Sequence, residues 1–274
     1  MRRHGCIHSG SDLGADAHVC WAFDEGQEFF DASVEYLNDG LRSGKRLAFV
    51  GSEPVAEQRE RLDALGDVGG MIDEGSLQLF ELADLYAVGQ PLDSDAQLAA
   101  YGAATDGALA DGYTGLRVAA QVTDLITEPN CWDAHVRWET VADRYMSERP
   151  LSALCGYRRG SVPDRVLADL AAVHPITNQD EKTVPFHLFT ESGDAVLAGE
   201  VDLFSAESLD RILEVAYRDD ESLALDLGEL GFIDHHGLET LATHTERLGA
   251  EGECAVHNTP PVVERLCELL ELKL

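Results

Sequence analysis

Short apolar runs separated by amphipathic stretches characterise the first two thirds of the chain. Strand-like runs lie at residues 17–23, 45–50, 76–80, 116–122 and 151–155. Apolar residues at helical spacing follow several of these runs, notably at 94–111 and 132–146. This strand–helix alternation predicts an α/β domain with a mostly parallel sheet over residues 17–175.

Residues 185–274 have a different pattern, which begins with two strands and no helix between them. The runs 186–191 and 195–201 are joined through Ser192-Gly193-Asp194, a spacing typical of a hairpin. Strand–helix steps follow, and the last helix is predicted from about Pro260 to Leu270. A second α/β domain with a small mixed sheet is therefore expected.

Two segments lack a regular pattern. Residues 1–16 are rich in Gly, Ser, Asp and His, which favours a flexible leader. The dipeptide His174-Pro175 ends a helical pattern, because a residue before proline disfavours helix. The polar residues that follow predict a linker over 176–184.

The composition narrows the range of partners. Asp and Glu number 51 against 20 Lys and Arg, giving a formal charge of -31. The electrostatic field of so negative a protein repels phosphate backbones and anionic lipids, so neither nucleic acid nor a membrane is an expected partner. No apolar run approaches the ~20 residues that span a bilayer. Six scattered cysteines without a C-x-x-C pair indicate reduced thiols, so a cytoplasmic location is expected.

The sequence contains no recognisable catalytic motif. A P-loop needs G-x-x-x-x-G-K-[ST], but the turn after the second strand reads Gly51-Ser52-Glu53-Pro54. It lacks the lysine and places an acid where phosphate would lie, so neither ATP hydrolysis nor enzymatic activity is expected. Turns at the carboxyl ends of parallel strands can still bind ligands. Gly51 and Glu53, with His18 and His174, are therefore candidate ligand-binding residues, and an ordinary connecting turn is the alternative.

Two groups of residues in the sequence are candidate metal ligands. Four residues could meet if the first and last strands of the domain are neighbours, namely His18, Cys20, Cys155 and His174. Such nitrogen and sulfur ligands suit zinc, copper or haem, although buried cysteines and core histidines are commoner. Adjacent histidines such as His235 and His236 point about 100° apart on a helix and rarely share an ion. No metal or other cofactor is expected, and an ion or haem at the first group stays open.

Several motifs follow one another in the C-terminal part. They are Gly199-Glu200-Val201-Asp202, Leu225-Asp226-Leu227, Phe232-Ile233-Asp234 with Gly237-Leu238, and Asn258-Thr259-Pro260. In this order they resemble the motifs of the STAS family. The best-known STAS proteins are bacterial anti-sigma factor antagonists. The resemblance implies docking to an anti-sigma factor of the histidine-kinase-like ATPase family, with release of a sigma factor. It places the docking surface at or near Glu200, Asp202, Asp234, His235 and Gly237.

The turn at Asp234 departs from the family pattern. It usually reads Asp-Ser-Ser-Gly or Asp-Ser-Thr-Gly, and the kinase that doubles as anti-sigma factor phosphorylates the first serine. Here that position is His235, which cannot accept phosphate from a Ser/Thr kinase. Control by serine phosphorylation is therefore not expected. From the local sequence alone, Asp234 could simply cap a helix, with His235 and His236 solvated.

A second series of short motifs lies in the N-terminal part. It consists of His18-Val19-Cys20, the stretch 40–47, Trp138-Glu139, Leu154-Cys155-Gly156-Tyr157 and His174-Pro175. In this order the motifs resemble those of the MEDS sensory family. The resemblance implies a reduced RecA- or KaiC-type domain that senses a small molecule or another signal.

Two hypotheses of different classes follow. The first is a cytoplasmic sensory regulator that acts through its STAS domain. The second is a small-molecule or cofactor-binding enzyme in which the STAS segment is a scaffold or dimerisation domain.

Overall fold

The structure, a computed structural model, describes residues 2–217, 222–251 and 253–274. Its N-terminal part alternates strands and helices, as the apolar pattern predicts. The strands are β1 (Gly5–Cys6), β2 (His18–Phe23), β3 (Arg46–Gly51), β4 (Leu77–Glu81), β5 (Leu116–Gln121), β6 (Leu151–Arg158) and β7 (Ile176–Thr177). The helices are α1 (Gly26–Arg42), α2 (Val55–Arg61), α3 (Val68–Asp73), α4 (Leu82–Leu85), α5 (Ser94–Ala110), α6 (Trp132–Glu148) and α7 (Asp164–Ala172).

All neighbouring strands of the N-terminal sheet are parallel. The seven strands lie in the order β1-β7-β2-β6-β5-β3-β4. The first long strand, β2, thus pairs with the last long strand, β6, and Cys20 lies opposite Cys155. Buried strands with helices on them confirm the predicted α/β class.

The C-terminal part forms a small mixed sheet with helices. Its elements are β8 (Phe186–Glu191), β9 (Asp194–Val201), α8 (Ala206–Ala216), β10 (Ser222–Asp226), β11 (Leu230–Ile233), α9 (His235–Glu251), β12 (Glu253–His257) and α10 (Pro261–Leu270). The predicted hairpin is present, because β8 pairs antiparallel with β9. Strands β10 and β11 pair parallel with β9, and β12 pairs parallel with β10.

Gly199 makes the crowded middle of this sheet possible. Its φ of 94° is a conformation that side-chain-bearing residues rarely adopt. A Cβ there would lie 2.4 Å from the carbonyl oxygen of Pro185. Because Gly199 is opposite both Phe186 and Leu230, a larger residue would disturb the strands that lead to the Asp234 turn.

Residues 2–16 are packed, although their composition favours a loose leader. Strand β1 pairs with β7, and Ile7 and Leu13 are buried. The guanidinium of Arg2 is buried and donates to Asp143 (2.8 Å) and to the carbonyl of Thr190 (3.0 Å). Composition misses this packing because it depends on acceptors far away in the chain.

The expected linker is also partly structured. Ile176 and Thr177 form β7 within the N-terminal sheet, and both are buried. Helix α6 packs against β8 and α8, and α7 packs against the same two elements. A continuous apolar core therefore joins the two domains. Among the described residues, no helix is both long and apolar enough to cross a membrane.

Candidate functional site

A cluster of buried polar side chains lies between the N-terminal sheet and α6. His135, Glu139 and Asp143 follow one another at four-residue spacing, so they share one face of α6. That face meets His18 on β2 and Cys155 on β6. His174, just after α7, completes the group, and its ring lies 3.9 Å from that of His18 between centroids.

Glu139 is the centre of this cluster. Its Oε2 lies 3.1 Å from His18 Nε2, 3.5 Å from His174 Nε2 and 3.8 Å from Cys155 Sγ. Its Oε1 accepts a hydrogen bond from the hydroxyl of Tyr157 and lies 3.1 Å from His135 Nε2. Burial alone would raise the pKa of Glu139, but the facing histidines outweigh burial and hold that pKa well below its usual range.

Asp143 connects the cluster to the C-terminal domain. One carboxylate oxygen accepts from His18 Nδ1 (3.1 Å) and from Arg2 (2.8 Å). The other accepts from the backbone N–H of Thr190 on β8 (2.7 Å). Burial opposes ionisation, yet these donors, Arg2 first, lower the pKa of Asp143. The side chain is therefore a buried carboxylate with three donors from separate parts of the chain.

The pKa values of His18 and His174 are shifted in opposite directions. Burial disfavours a charge on His18, but the Asp143 and Glu139 carboxylates outweigh it and raise its pKa. Burial and the neighbouring His18 lower the pKa of His174 to about 3, so His174 is neutral. Its Nδ1 donates to the carbonyl of Leu170 (2.7 Å), which leaves the lone pair on Nε2.

The structure brings together only part of the predicted ligand site. His18 and His174 meet as expected, and Cys155 joins them. Cys20 is buried beside Cys155 but lies outside the group whose ligand atoms converge. Gly51 is the last residue of β3 and Glu53 lies just after it, and β6 and β5 separate β3 from β2.

Glu139 was missed as a site residue, although it belongs to one of the recognised motifs. A detectable signal existed in the spacing of His135, Glu139 and Asp143, which repeats every four residues. The same helix carries buried apolar residues, including Trp138 and Met146. Charged residues on a buried helix face usually have partners.

The Gly51–Pro54 turn is closed by side chains of its own region. The Gln58 amide donates to the carbonyls of Glu53 (2.7 Å) and Phe80 (2.9 Å). The Glu53 carboxylate forms an ion pair with Arg61 at 3.2 Å. An apolar cavity of about 120 Å³ lies between the sheet and α5, and Val50, Phe80 and Tyr101 contribute to its wall. It contains none of the predicted ligand-binding residues.

Asp234 caps the following helix, as its position predicts. Its Oδ1 accepts from the N–H groups of His236 (2.9 Å) and Gly237 (3.1 Å). Its Oδ2 accepts from the N–H of Leu203 (2.9 Å). Burial opposes ionisation, but these backbone donors prevail and lower the pKa of Asp234. The cap thereby fixes the loop after β9 against the start of α9.

Exposed apolar side chains surround this turn. Phe204 is 88% exposed, Leu203 53% and Phe232 49%. Phe232 lies opposite the exposed Glu200 across β11 and β9. Asp202 orders the loop by accepting from the N–H groups of Phe204 and Ser205. We call the following residues the docking surface: Glu200, Asp202, Leu203, Phe204, Phe232 and His235.

Gly237 lies beneath this surface. A Cβ there would lie 2.7 Å from side-chain atoms of both Ile233 and Val201. Gly237 therefore lets α9 approach the sheet closely, and it supports the surface from below.

Comparison with family models identifies both parts of the chain. The model of the MEDS domain, described as the methanogen/methylotroph, DcmR sensory domain, matches residues 17–175. The chain belongs to the MEDS family. A STAS domain follows at residues 194–273, so the protein is a MEDS–STAS fusion. Comparison with curated proteins gives no match.

The MEDS domain contains the whole buried cluster, and the STAS domain contains the whole docking surface. Strand β8 lies between the two matched ranges, and it supplies the N–H of Thr190 to Asp143. A further, half-buried group in the STAS domain consists of Asp194, Asp226 and His257, and His257 Nε2 is 3.1 Å from Asp194. The buried cluster thus contacts β8, which pairs with β9, the strand that leads to the docking surface.

Proposed function

We propose that the protein is a cytoplasmic regulator whose STAS domain is an anti-sigma factor antagonist. Its partner is an anti-sigma factor of the histidine-kinase-like ATPase family, bound through the docking surface. The supporting observation is the group of exposed apolar side chains around the Asp234 turn. Contiguous apolar residues of this kind on a protein surface mark interaction sites.

The chemistry of the surface fits a protein partner. Phe204 offers a large apolar side chain, and aromatic anchors dominate binding energy at many interfaces. Glu200 and Asp202 surround it with negative charge, which suits a basic edge on the partner. The net charge of -31 further favours a basic partner surface.

The proposed mechanism lacks the usual phosphorylation switch. His235 occupies the position of the phosphoacceptor serine and is exposed. The serines nearby are engaged: Ser205 is buried and bonded to Asp202, and Ser208 donates to Asp169. Control then comes from the MEDS domain, which senses a small-molecule signal, or from the amount of protein. The domain acts by binding, without catalysis.

Binding measurements with single variants test the docking surface. Phe204→Gln should weaken the complex with the anti-sigma factor by about 2 kcal/mol or more, roughly thirtyfold in Kd. Leu269→Gln is the matched control, because Leu269 is 64% exposed on α10, which follows β12 at the opposite edge of the sheet from β11. Equal affinity of both variants and the wild type would exclude this surface as the docking site.

Incubation with MgATP and the partner tests the missing switch. The wild-type complex should persist and incorporate no phosphate into this protein. His235→Ser should create a phosphoacceptor at the start of α9 and make the complex sensitive to ATP, since phosphate adds about -1.5 to -2 charge. Phosphorylation of the wild type with loss of the complex contradicts the proposal. ATP turnover by the protein alone would support the alternative of an enzyme.

A further inference from the structure

Four side chains that can each bind a metal ion converge inside the MEDS domain. The ligand atoms of His18, Glu139, Cys155 and His174 all lie within 4.8 Å of one another, and all four residues are buried. We propose that these residues form a closed, four-coordinate site for a divalent ion of the zinc type. This inference is independent of the docking proposal.

The distances fit a tetrahedral ion. Zinc lies about 2.0–2.3 Å from nitrogen, oxygen and sulfur ligands, so the ligand atoms of a tetrahedron are about 3.3–3.8 Å apart. Glu139 Oε2 is 3.1 Å from His18 Nε2 and 3.5 Å from His174 Nε2. Cys155 Sγ is 3.8 Å from both His18 Nε2 and Glu139 Oε2. The side chains therefore need only small movements to surround an ion.

The histidines present the correct nitrogen atoms. Since a carbonyl oxygen only accepts, the 2.7 Å bond to Leu170 places the proton of His174 on Nδ1. Its Nε2 faces the cluster, is buried, and makes no hydrogen bond within the described structure. His18 Nδ1 donates to Asp143 in the same way, a carboxylate–histidine arrangement that orients metal ligands.

The charges of the site balance with an ion present. One thiolate and one carboxylate neutralise a divalent cation, and two neutral histidines add no charge. Coordination requires the Cys155 thiolate and free lone pairs on both Nε2 atoms, so any proton on these atoms is released to solvent. A neutral assembly suits a fully buried place, where an unbalanced charge is costly.

The ligand set selects the class of ion and its role. A thiolate with two imidazoles and a carboxylate suits zinc better than the hard ions magnesium and calcium, which prefer oxygen. Four protein ligands leave no open position, which is typical of a structural site. Asp143, the outer partner of His18, accepts from the N–H of Thr190 on β8, and the carbonyl of the ligand residue His174 accepts from His187 on β8 at 2.8 Å. An ion here would stabilise the join between the two domains.

Cobalt substitution of the full-length protein tests the site. Metal-free protein should bind one equivalent of Co²⁺ or Zn²⁺, and the cobalt form should show the visible bands of tetrahedral cobalt with a thiolate charge-transfer band. Cys155→Ser should remove the charge-transfer band. Cys20→Ser is the matched control, because Cys20 is buried opposite Cys155, and its bands should be unchanged. Bands lost equally in both variants, or binding well below one equivalent, would overturn the proposal.

X-ray absorption on the wild-type zinc protein needs no variant and covers the case in which Cys155→Ser does not fold. We expect one sulfur ligand at about 2.3 Å and three nitrogen or oxygen ligands at about 2.0–2.2 Å. The double variant His235→Ala with His236→Ala should give the same spectrum. Coordination without sulfur, or loss of the ion in that double variant, would refute the assignment.

Discussion

Two groups of histidines and acids in this chain offer similar atoms in opposite surroundings. His18, Glu139, Cys155 and His174 are buried, whereas Asp234, His235 and His236 lie at the accessible start of α9. In both groups the potential ligand atoms lie within 4.8 Å of one another. The two groups differ in the hydrogen-bond partners that orient their side chains.

Hydrogen bonds outside each group decide what it can do. In the buried group, Asp143 orients His18 and the Leu170 carbonyl orients His174, so both Nε2 atoms face one point. In the exposed group, Asp234 is already occupied by three backbone N–H groups. The histidine rings there lie against each other with centroids 3.8 Å apart. Proximity alone therefore does not make a metal site, whereas oriented lone pairs do.

The largest effect should come from removing the central acid of the buried group. Glu139→Ala leaves His18, His135 and Tyr157 without their common acceptor, and breaking such buried ionic networks costs about 3–5 kcal/mol. Urea unfolding of the metal-free protein measures this loss of stability. Glu239→Ala, at an exposed acid near the other group, should change stability by less than about 0.5 kcal/mol. Similar losses in the two variants would contradict the comparison.

The second largest loss of stability should come from changing Gly237, the buried glycine that follows the exposed group. Gly237→Ala places a methyl group 2.7 Å from Ile233 and Val201 and should cost about 1–3 kcal/mol through overpacking. Gly107 in α5 is the control, because nothing lies within 4 Å of a Cβ there. Gly107→Ala should stabilise the protein by about 0.5–1 kcal/mol. A calorimetric midpoint that rises in Gly237→Ala, as it should in Gly107→Ala, would show that the close packing of α9 can relax.

A smaller effect is expected from the helix cap. Asp234→Ala should cost about 1 kcal/mol near neutral pH, because two N–H groups of α9 and that of Leu203 lose their acceptor. Since the pKa of Asp234 is lowered by folding, this stabilisation is complete above its unfolded value of about 3.9. It disappears as the pH falls through the folded value. A stability difference that persists in strong acid would disprove the ionic origin of the cap.

The smallest effect should follow from changing the exposed histidine. His235→Ala should alter the free energy of unfolding by less than about 0.5 kcal/mol, because the side chain is exposed. His174→Ala, in the buried group, removes a ring packed against His18 and should destabilise the protein measurably more. Denaturation curves of the two variants compare the two groups directly. Equal midpoints would show that the buried histidine contributes no more to stability than the exposed one.

Local patterns predicted the features that depend on neighbours in the sequence. Asp234 precedes an apolar helical stripe, and this placement is sufficient to predict a cap. The alternation of strands and helices predicted both sheets. The meeting of His18 with His174 followed from the condition that the first and last strands are adjacent, which the pairing of β2 with β6 fulfils.

Features that depend on distant partners escaped the same reasoning. Glu139 gains its importance only where histidines from β2, α6 and the end of α7 converge, and spacing along α6 cannot specify that point. Arg2 lies in a segment of loop-like composition, yet it is buried against Asp143 and Thr190. Gly51 and Glu53 lie at the end of a strand that the sheet order separates from β2.

The three donors to Asp143 set a practical limit on truncating the protein. A fragment cut at the MEDS boundaries, residues 17–175, would contain His18 but neither Arg2 nor Thr190. Its buried carboxylate would keep one donor of three, beside a newly exposed face of α6. Family boundaries and folding boundaries thus differ in this chain, and studies of the sensed signal should use the intact protein.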